Sequence, residues 1–192
     1  MNEGVRMFFV LTGVTAICAL LLGGAHELTR APIEMQKIRH VKGPAIRAAL
    51  GPVDNDPLAA RLTVNFEKGP LTLFPGKKRD SVVSVAIETS AQGYGGEINV
   101  ITAFDLQSGV CRAVAVSHSS ETPGIGSRAT QPQFTDQFRR LGPDQCAALR
   151  ADGGTIDAVS GATVSSRALC SAVARAQALF TSVKSTLAKG SP

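Results

Sequence analysis

Asp157-Ala158-Val159-Ser160-Gly161-Ala162-Thr163 is a run of small residues that ends on a hydroxyl, and a long apolar-striped segment follows it directly. In that segment apolar residues recur at Val164, Ala168/Leu169, Ala172/Val173, Ala176, Leu179/Phe180, Val183 and Leu187, a helical and not a strand period. The pattern predicts a helix from Arg167 to Lys189, with Thr163 in a turn just ahead of its N-terminus. Such a terminus offers unpaired backbone N–H groups and the positive end of the helix dipole, so it favours a phosphate. Ser160, Ser165 and Ser166 add hydroxyl donors, Arg167 adds a cation about one turn on, and Gly161 and Ala162 leave the space around the Thr163 hydroxyl open. The chemistry implied is an anion site with a reactive hydroxyl at its centre. The same run also reads as an ordinary small-residue helix cap.

No other catalytic constellation is visible. The chain has no G-x-S-x-G elbow, no paired carboxylates at a shared site and no nucleophile–base–acid set, so no catalytic residue is assigned. The cysteines at 18, 111, 146 and 170 form no C-x-x-C pair and have no metal-like spacing to His26, His40 or His118, so no metal site is expected. Three of them fall outside the apolar N-terminal run. They read either as buried thiols or, in an oxidising compartment, as one disulfide pair of unspecified partners. The net charge is +5 but the basic residues are scattered among only 8 Phe, 1 Tyr and no Trp, which argues against nucleic-acid binding. A hydrophobic content of 44% excludes a disordered chain, and 192 residues allow one domain with a core plus an appendage.

The elements that position the Thr163 turn can be read in order. Residues 1–6 form a short tail, and 7–25 are uncharged and largely apolar, long enough for a membrane helix. A cleaved signal peptide ending at Gly23-Gly24-Ala25 is the rival reading, and the length of the run favours a retained anchor. Residues 26–52 read as a helical linker, with Thr29 capping a helix that runs to about Val41 and a further turn or two at 45–50. The domain proper is placed at 53–192. Leu62–Phe66 reads as a strand, while Gly69-Pro70 and Pro75-Gly76 read as turns. Strands follow at 82–91, 96–105 and 110–117, then short helices at 133–141 and 144–150, and a short strand at 155–159 leads into the Thr163 turn. The fold class is α+β: an antiparallel sheet packed by helices, with one N-terminal transmembrane helix.

Asp157-Ala158-Val159-Ser160-Gly161-Ala162-Thr163 resembles the D-x-x-[ST]-G-A-T flavinylation motif of the bacterial FMN-binding domain family. Glu121-Thr122-Pro123-Gly124-Ile125-Gly126 resembles a second motif of that family, and Gly93-Tyr94-Gly95-Gly96 a third, in the family's order. The resemblance implies FMN joined by its phosphate to Thr163 by a flavin transferase, with Asp157 part of what the transferase recognises. It also implies a cofactor site drawn from Ser160, Gly161, Ala162, Ser165, Ser166, Glu121, Thr122, Gly124, Ile125 and Tyr94. In the 121–126 loop, Pro123 restricts the backbone while Gly124 and Gly126 free it. The loop can then offer N–H groups and the Thr122 hydroxyl to the polar edge of a flavin ring, with Ile125 on its face; alone, it reads as a tight turn. Tyr94 either stacks on the ring or packs the sheet edge, and His118 reads as a strand-end residue. Members of the family serve ion-translocating membrane oxidoreductases. The expectation is an electron-relay subunit of the Rnf type, which couples ferredoxin–NAD electron transfer to ion transport. A component of a Na+-translocating NADH:quinone reductase and a stand-alone flavin sensor are the alternatives. Further implications are neighbouring membrane subunits and a single-pass location in the inner membrane with the domain on the periplasmic side.

Overall fold

The computed structural model describes residues 3–37, 42–66, 69–79 and 81–188. They fall into two compact units, Met1–His40 and Val41–Pro192. The first is one helix, α1 (Glu3–Lys37). Its stretch Glu3–Arg30, 28 residues long, is the one helix among the described residues long and apolar enough to cross a membrane. At 1.5 Å per residue it extends about 42 Å, more than the roughly 30 Å of a bilayer's hydrocarbon core. Phe8, Phe9, Leu11 and Leu20 to Leu22 are all exposed on it. Thr29 does not cap a second helix. Its hydroxyl donates back to the carbonyl of Ala25 at 2.7 Å, and the helix continues through it. The ends expected at Val41 and Lys189 lie outside the described residues.

The second unit begins with α2 (Gly43–Leu50) and a five-stranded antiparallel meander in the order β1-β2-β3-β4-β5. The strands are β1 (Leu62–Phe66), β2 (Gly69–Lys78), β3 (Ser81–Gln92), β4 (Glu97–Asp105) and β5 (Cys111–Ser119). α3 (Pro132–Thr135) with a 3-10 turn (Asp136–Phe138) follows, and the last described element is α4 (Thr163–Ala188), which starts four residues before the expected Arg167, so that Thr163 opens the helix and does not precede it in a turn. The α+β class and the sheet therefore stand as expected.

Four local readings are corrected. β2 begins on Gly69-Pro70 and contains Pro75-Gly76, both of which the sequence marks as turns. Gly76 sits at a register shift where a Cβ would come within 2.5 Å of Ser84 Oγ and 2.8 Å of Val53, so this glycine marks close packing inside a strand. No helix spans 144–150; only Arg150, at its end, enters a 3-10 turn (Arg150–Asp152). That segment is turn and extended chain, ending in an isolated parallel bridge between Leu149 and Ile156. The same bridge is all that the 155–159 strand amounts to. The 133–141 helix is shortened to α3 and its 3-10 turn, and the chain leaves the turn through Arg139 in an extended conformation.

Strand alternation gives the sheet two buried faces. Leu73, Val85, Ile87, Ile98, Val100 and Phe104 point to one, where Leu169, Val173, Ala176 and Phe180 of α4 cover them. Phe104 and Phe180 stack at 4.7 Å between ring centroids, and the Thr89 hydroxyl donates to the α4 carbonyl of Ala172. Phe74, Ala86, Ile101 and Ala103 point to the other, where Ile46, Ala49 and Leu50 of α2 lie on them. The alanines leave room for the helix to approach. Residues 43–50 are thus core and not tether. Leu50→Ala, at a fully buried site, is expected to lower unfolding stability by about 2–5 kcal/mol. A loss below about 1 kcal/mol in denaturant titration of the full chain would return α2 to the role of a linker.

Candidate functional site

A cleft of about 460 Å³ opens where three chain segments meet. Tyr94 reaches it from the β3–β4 turn. Glu121, Thr122, Ile125 and Gly126 line it from the loop that leaves β5, and Gly161 to Ser165 from the start of α4. The meander explains the first two: β4 separates the 93–96 turn from the 120–126 loop, and antiparallel pairing of Ile98 with Ser119 brings both to one sheet end.

One carboxylate joins these two loops. Glu121 is only 7% exposed. Its Oε1 accepts the Tyr94 N–H at 2.7 Å and its Oε2 the Gly95 N–H at 3.3 Å. A buried carboxylate is tolerable only when such donors replace its water. Glycine makes the space: a Cβ on Gly93 or Gly126 would run into the Glu121 carboxylate, and one on Gly95 would sit 2.7 Å from the Ser120 carbonyl. Gly93, Gly95 and Gly126, which the sequence reading quoted in its motifs without placing them in the cofactor site, are thus the bed of the clamp. Above it, Tyr94, Ile125 and Val164 are 79%, 57% and 49% exposed and form an apolar rim. Gly124, with a φ of 81°, lies at the loop tip; its N–H donates to Ser127 Oγ, and it does not line the cleft.

The third wall is a helix end without a cap. Ser166 N–H donates to the Ala162 carbonyl, so Ala162 is the N-cap residue and its side chain has no oxygen to offer. Ala162 N–H bonds the Val159 carbonyl. The N–H groups of Thr163, Val164 and Ser165 take no partner among the described residues. Three free donors, the dipole's positive end and the exposed Thr163 therefore face one cleft. Donors of this kind at a helix N-terminus favour an anion, and Ala162 at the N-cap is equally what the small-residue cap reading expects.

The remaining sequence candidates are sorted by the same geometry. Ser166 is fully buried, and its Oγ accepts the Val159 N–H at 3.1 Å, bracing the turn from within. Ser160 lines a neighbouring groove and not the cleft. Arg167 is turned away: its guanidinium grips Asp152 at 2.8 and 3.0 Å. That hydrogen bond, with the attraction of the two charges, holds the Asp152 carboxyl below its usual value. The helix end must therefore meet an anion without Arg167. Asp157 is exposed and pairs with Arg150 at 2.7 Å. His118 stands at the end of β5, with Nε2 3.4 Å from Ser120 Oγ. Cys111 and Cys170 are buried free thiols pushed up to about 12 by burial, while Cys146 is exposed. No group of three or more metal-ligating side chains occurs among the described residues.

The clamp makes a sharp prediction. Gly126→Ala forces the Glu121 carboxylate or the loop to move, with an expected destabilisation of about 1–3 kcal/mol. Hydrogen exchange at the Tyr94 and Gly95 amides should quicken in the same variant. Unchanged exchange there would mean that the carboxylate does not hold the two loops together.

Comparisons with known proteins bear on the family and the fold. The FMN-binding domain family matches residues 93–178, which contain every residue of the cleft. The G subunit of the ion-translocating oxidoreductase complex from Cereibacter sphaeroides is 31% identical over 174 residues, covering 85% of this chain and 78% of that one. The G subunit of the proton-translocating ferredoxin:NAD(+) oxidoreductase complex from Clostridium ljungdahlii is 24% identical, covering 88% and 89%. The crystal structure of the C subunit of the Na(+)-translocating NADH-quinone reductase from Parabacteroides distasonis superposes with a TM-score of 0.63 at 15% identity, over 79% of this chain and 95% of that one, a likeness of fold. With its cleft, its helix end and these relatives taken together, the chain belongs to the FMN-binding domain family, among the G subunits of ion-translocating oxidoreductases.

Proposed function

We propose that the chain is the electron-relay subunit of an Rnf-type complex, carrying FMN esterified through its phosphate to Thr163. The observation that carries this reading is the exposed Thr163 at the first position of an uncapped helix that opens into the cleft. The residues fit the group. The free N–H groups of 163–165 match an esterified phosphate with one remaining negative charge. Tyr94, Ile125 and Val164 supply apolar walls for a flat ring, and Thr122 with the loop backbone supplies polar contacts to its edge. The cleft volume falls within the roughly 300–1,000 Å³ usual for cofactor sites. FMN held there supplies one- and two-electron chemistry, and the protein's part is to seat and tune it. The ester keeps the cofactor from escaping where no cytoplasmic pool can replace it.

The partners follow from relatives whose names describe subunits of ferredoxin:NAD(+) oxidoreductases that move protons or Na+. By that likeness the chain works beside other membrane subunits and receives its flavin from a transferase. α1 anchors it in the inner membrane, and the unit from Val41 onward stands on the periplasmic side. Copurification of the other complex subunits with the tagged chain tests the first point against a solitary sensor.

Intact mass of chain made alongside a transferase is expected to show one added FMN less water, and the denatured band should fluoresce. Thr163→Ala should abolish both; a fluorescent Thr163→Ala band would place the bond elsewhere. For the side of the membrane, Cys146 is the one exposed thiol of the second unit among the described residues. A membrane-impermeant maleimide should reach it in intact cells with permeabilised outer membranes and leave buried Cys111 and Cys170 unlabelled. Labelling only after the inner membrane is broken would put the domain in the cytoplasm.

A further inference from the structure

Of the residues that line the cleft, Glu121 alone carries a charged side chain. No cation answers it: none of the ion pairs among the described residues includes Glu121, and Arg167 is committed to Asp152. Both Glu121 oxygens accept backbone N–H groups, and neither donates to any described group. That is the bonding pattern of an ionised carboxylate. Successive N–H groups such as those of Tyr94 and Gly95 cradle an anion without neutralising it. Burial also keeps water from screening the charge.

The cleft therefore has two poles. The α4 start, with the free N–H groups of residues 163–165, is the positive one. The wall made by the 93–96 turn and the 121–126 loop carries the negative one. The Thr163 reading sets the phosphate at the first pole and the ring among Tyr94, Thr122 and Ile125, on the side of the second.

We propose that the Glu121 carboxylate, beyond tying the two loops, lowers the reduction potential of the flavin seated in the cleft. The inference rests on the Thr163 reading above and deepens it. Reduction adds an electron taken from a reduced neighbour, which is oxidised in turn, while no bond of Glu121 forms or breaks. The arriving negative charge is opposed by a fixed charge of the same sign. Within about 10 Å, the scale of a cleft of about 460 Å³, a unit charge at an effective permittivity of about 20 changes a one-electron equilibrium roughly tenfold. The protein's part in tuning the cofactor then lies in this one side chain. A flavin held at a lower potential is filled less readily and hands its electron on more readily.

The test uses the full chain in detergent, labelled by a transferase and checked by intact mass, with the flavin titrated at one pH against dyes of known potential. Glu121→Gln removes the charge and keeps an acceptor for one backbone N–H. Its first-electron potential should rise by about 59 mV, the equivalent of a tenfold change. Glu121→Asp keeps the charge but shortens the arm, so the clamp loosens while the field stays. Its one-electron equilibrium should remain within about twofold of the parent's. Hydrogen exchange at its Tyr94 and Gly95 amides, read on unlabelled chain, should quicken. An unchanged or lower potential in labelled Glu121→Gln overturns the proposal. So does a Glu121→Asp chain whose potential rises by the full tenfold equivalent, because loop geometry and not charge would then set it. This second arm decides the question if Glu121→Gln fails to fold or to take flavin. All these outcomes leave Thr163 labelling intact, whereas a parent chain that is never labelled overturns the Thr163 reading itself, and the tuning with it.

Discussion

The cleft depends on one buried carboxylate. Tyr94 and Thr122 stand on loops that share no strand. Glu121 ties them by accepting two backbone N–H groups of the 93–96 turn from within the 121–126 loop. Its burial forces the glycines around it, because any side chain at 93 or 126 would occupy the carboxylate's place. The glycine-rich character of both motifs is therefore one requirement met at several positions, and removing the charge would leave a polar hole that no neighbour is shaped to fill.

The second support is α4, which serves the core and the site at once. Leu169, Val173, Ala176 and Phe180 fix it on the sheet, and that packing aims its N-terminus at the cleft. Core packing and cleft lining thus fall on different turns of one helix. The first turn is left uncapped at the cleft, while the following turns bear the apolar stripe. Arg167 shows the separation, being committed to Asp152 and so taking no part in the charge at the helix end.

Much of the site was legible because its motifs are short and local. The 157–163 run, the helical period behind it and the 121–126 loop can each be read within one short stretch of chain, and the fold brings them to one cleft. What escaped the reading depends on partners far apart in the chain. The Glu121 clamp spans 27 residues to Tyr94, the Arg167–Asp152 pair spans 15, and Gln137 meets Asp157 across 20. β2 was hidden because Pro70, Pro75 and Gly76 mark turns in most chains, and only the crowding by Ser84 and Val53 explains a glycine there. α2 was taken for a tether because eight residues are too few for a period to separate a packed helix from a solvated one.

The apolar rim of Tyr94, Ile125 and Val164 stays largely uncovered. A redox group seated behind such a rim keeps one edge near the surface, so little insulating protein separates it from a carrier on a neighbouring subunit. The same openness admits water and dissolved oxygen to that edge. In the relay proposed above, short electron-transfer distances would come at the expense of shielding, and a neighbouring subunit would have to close the gap.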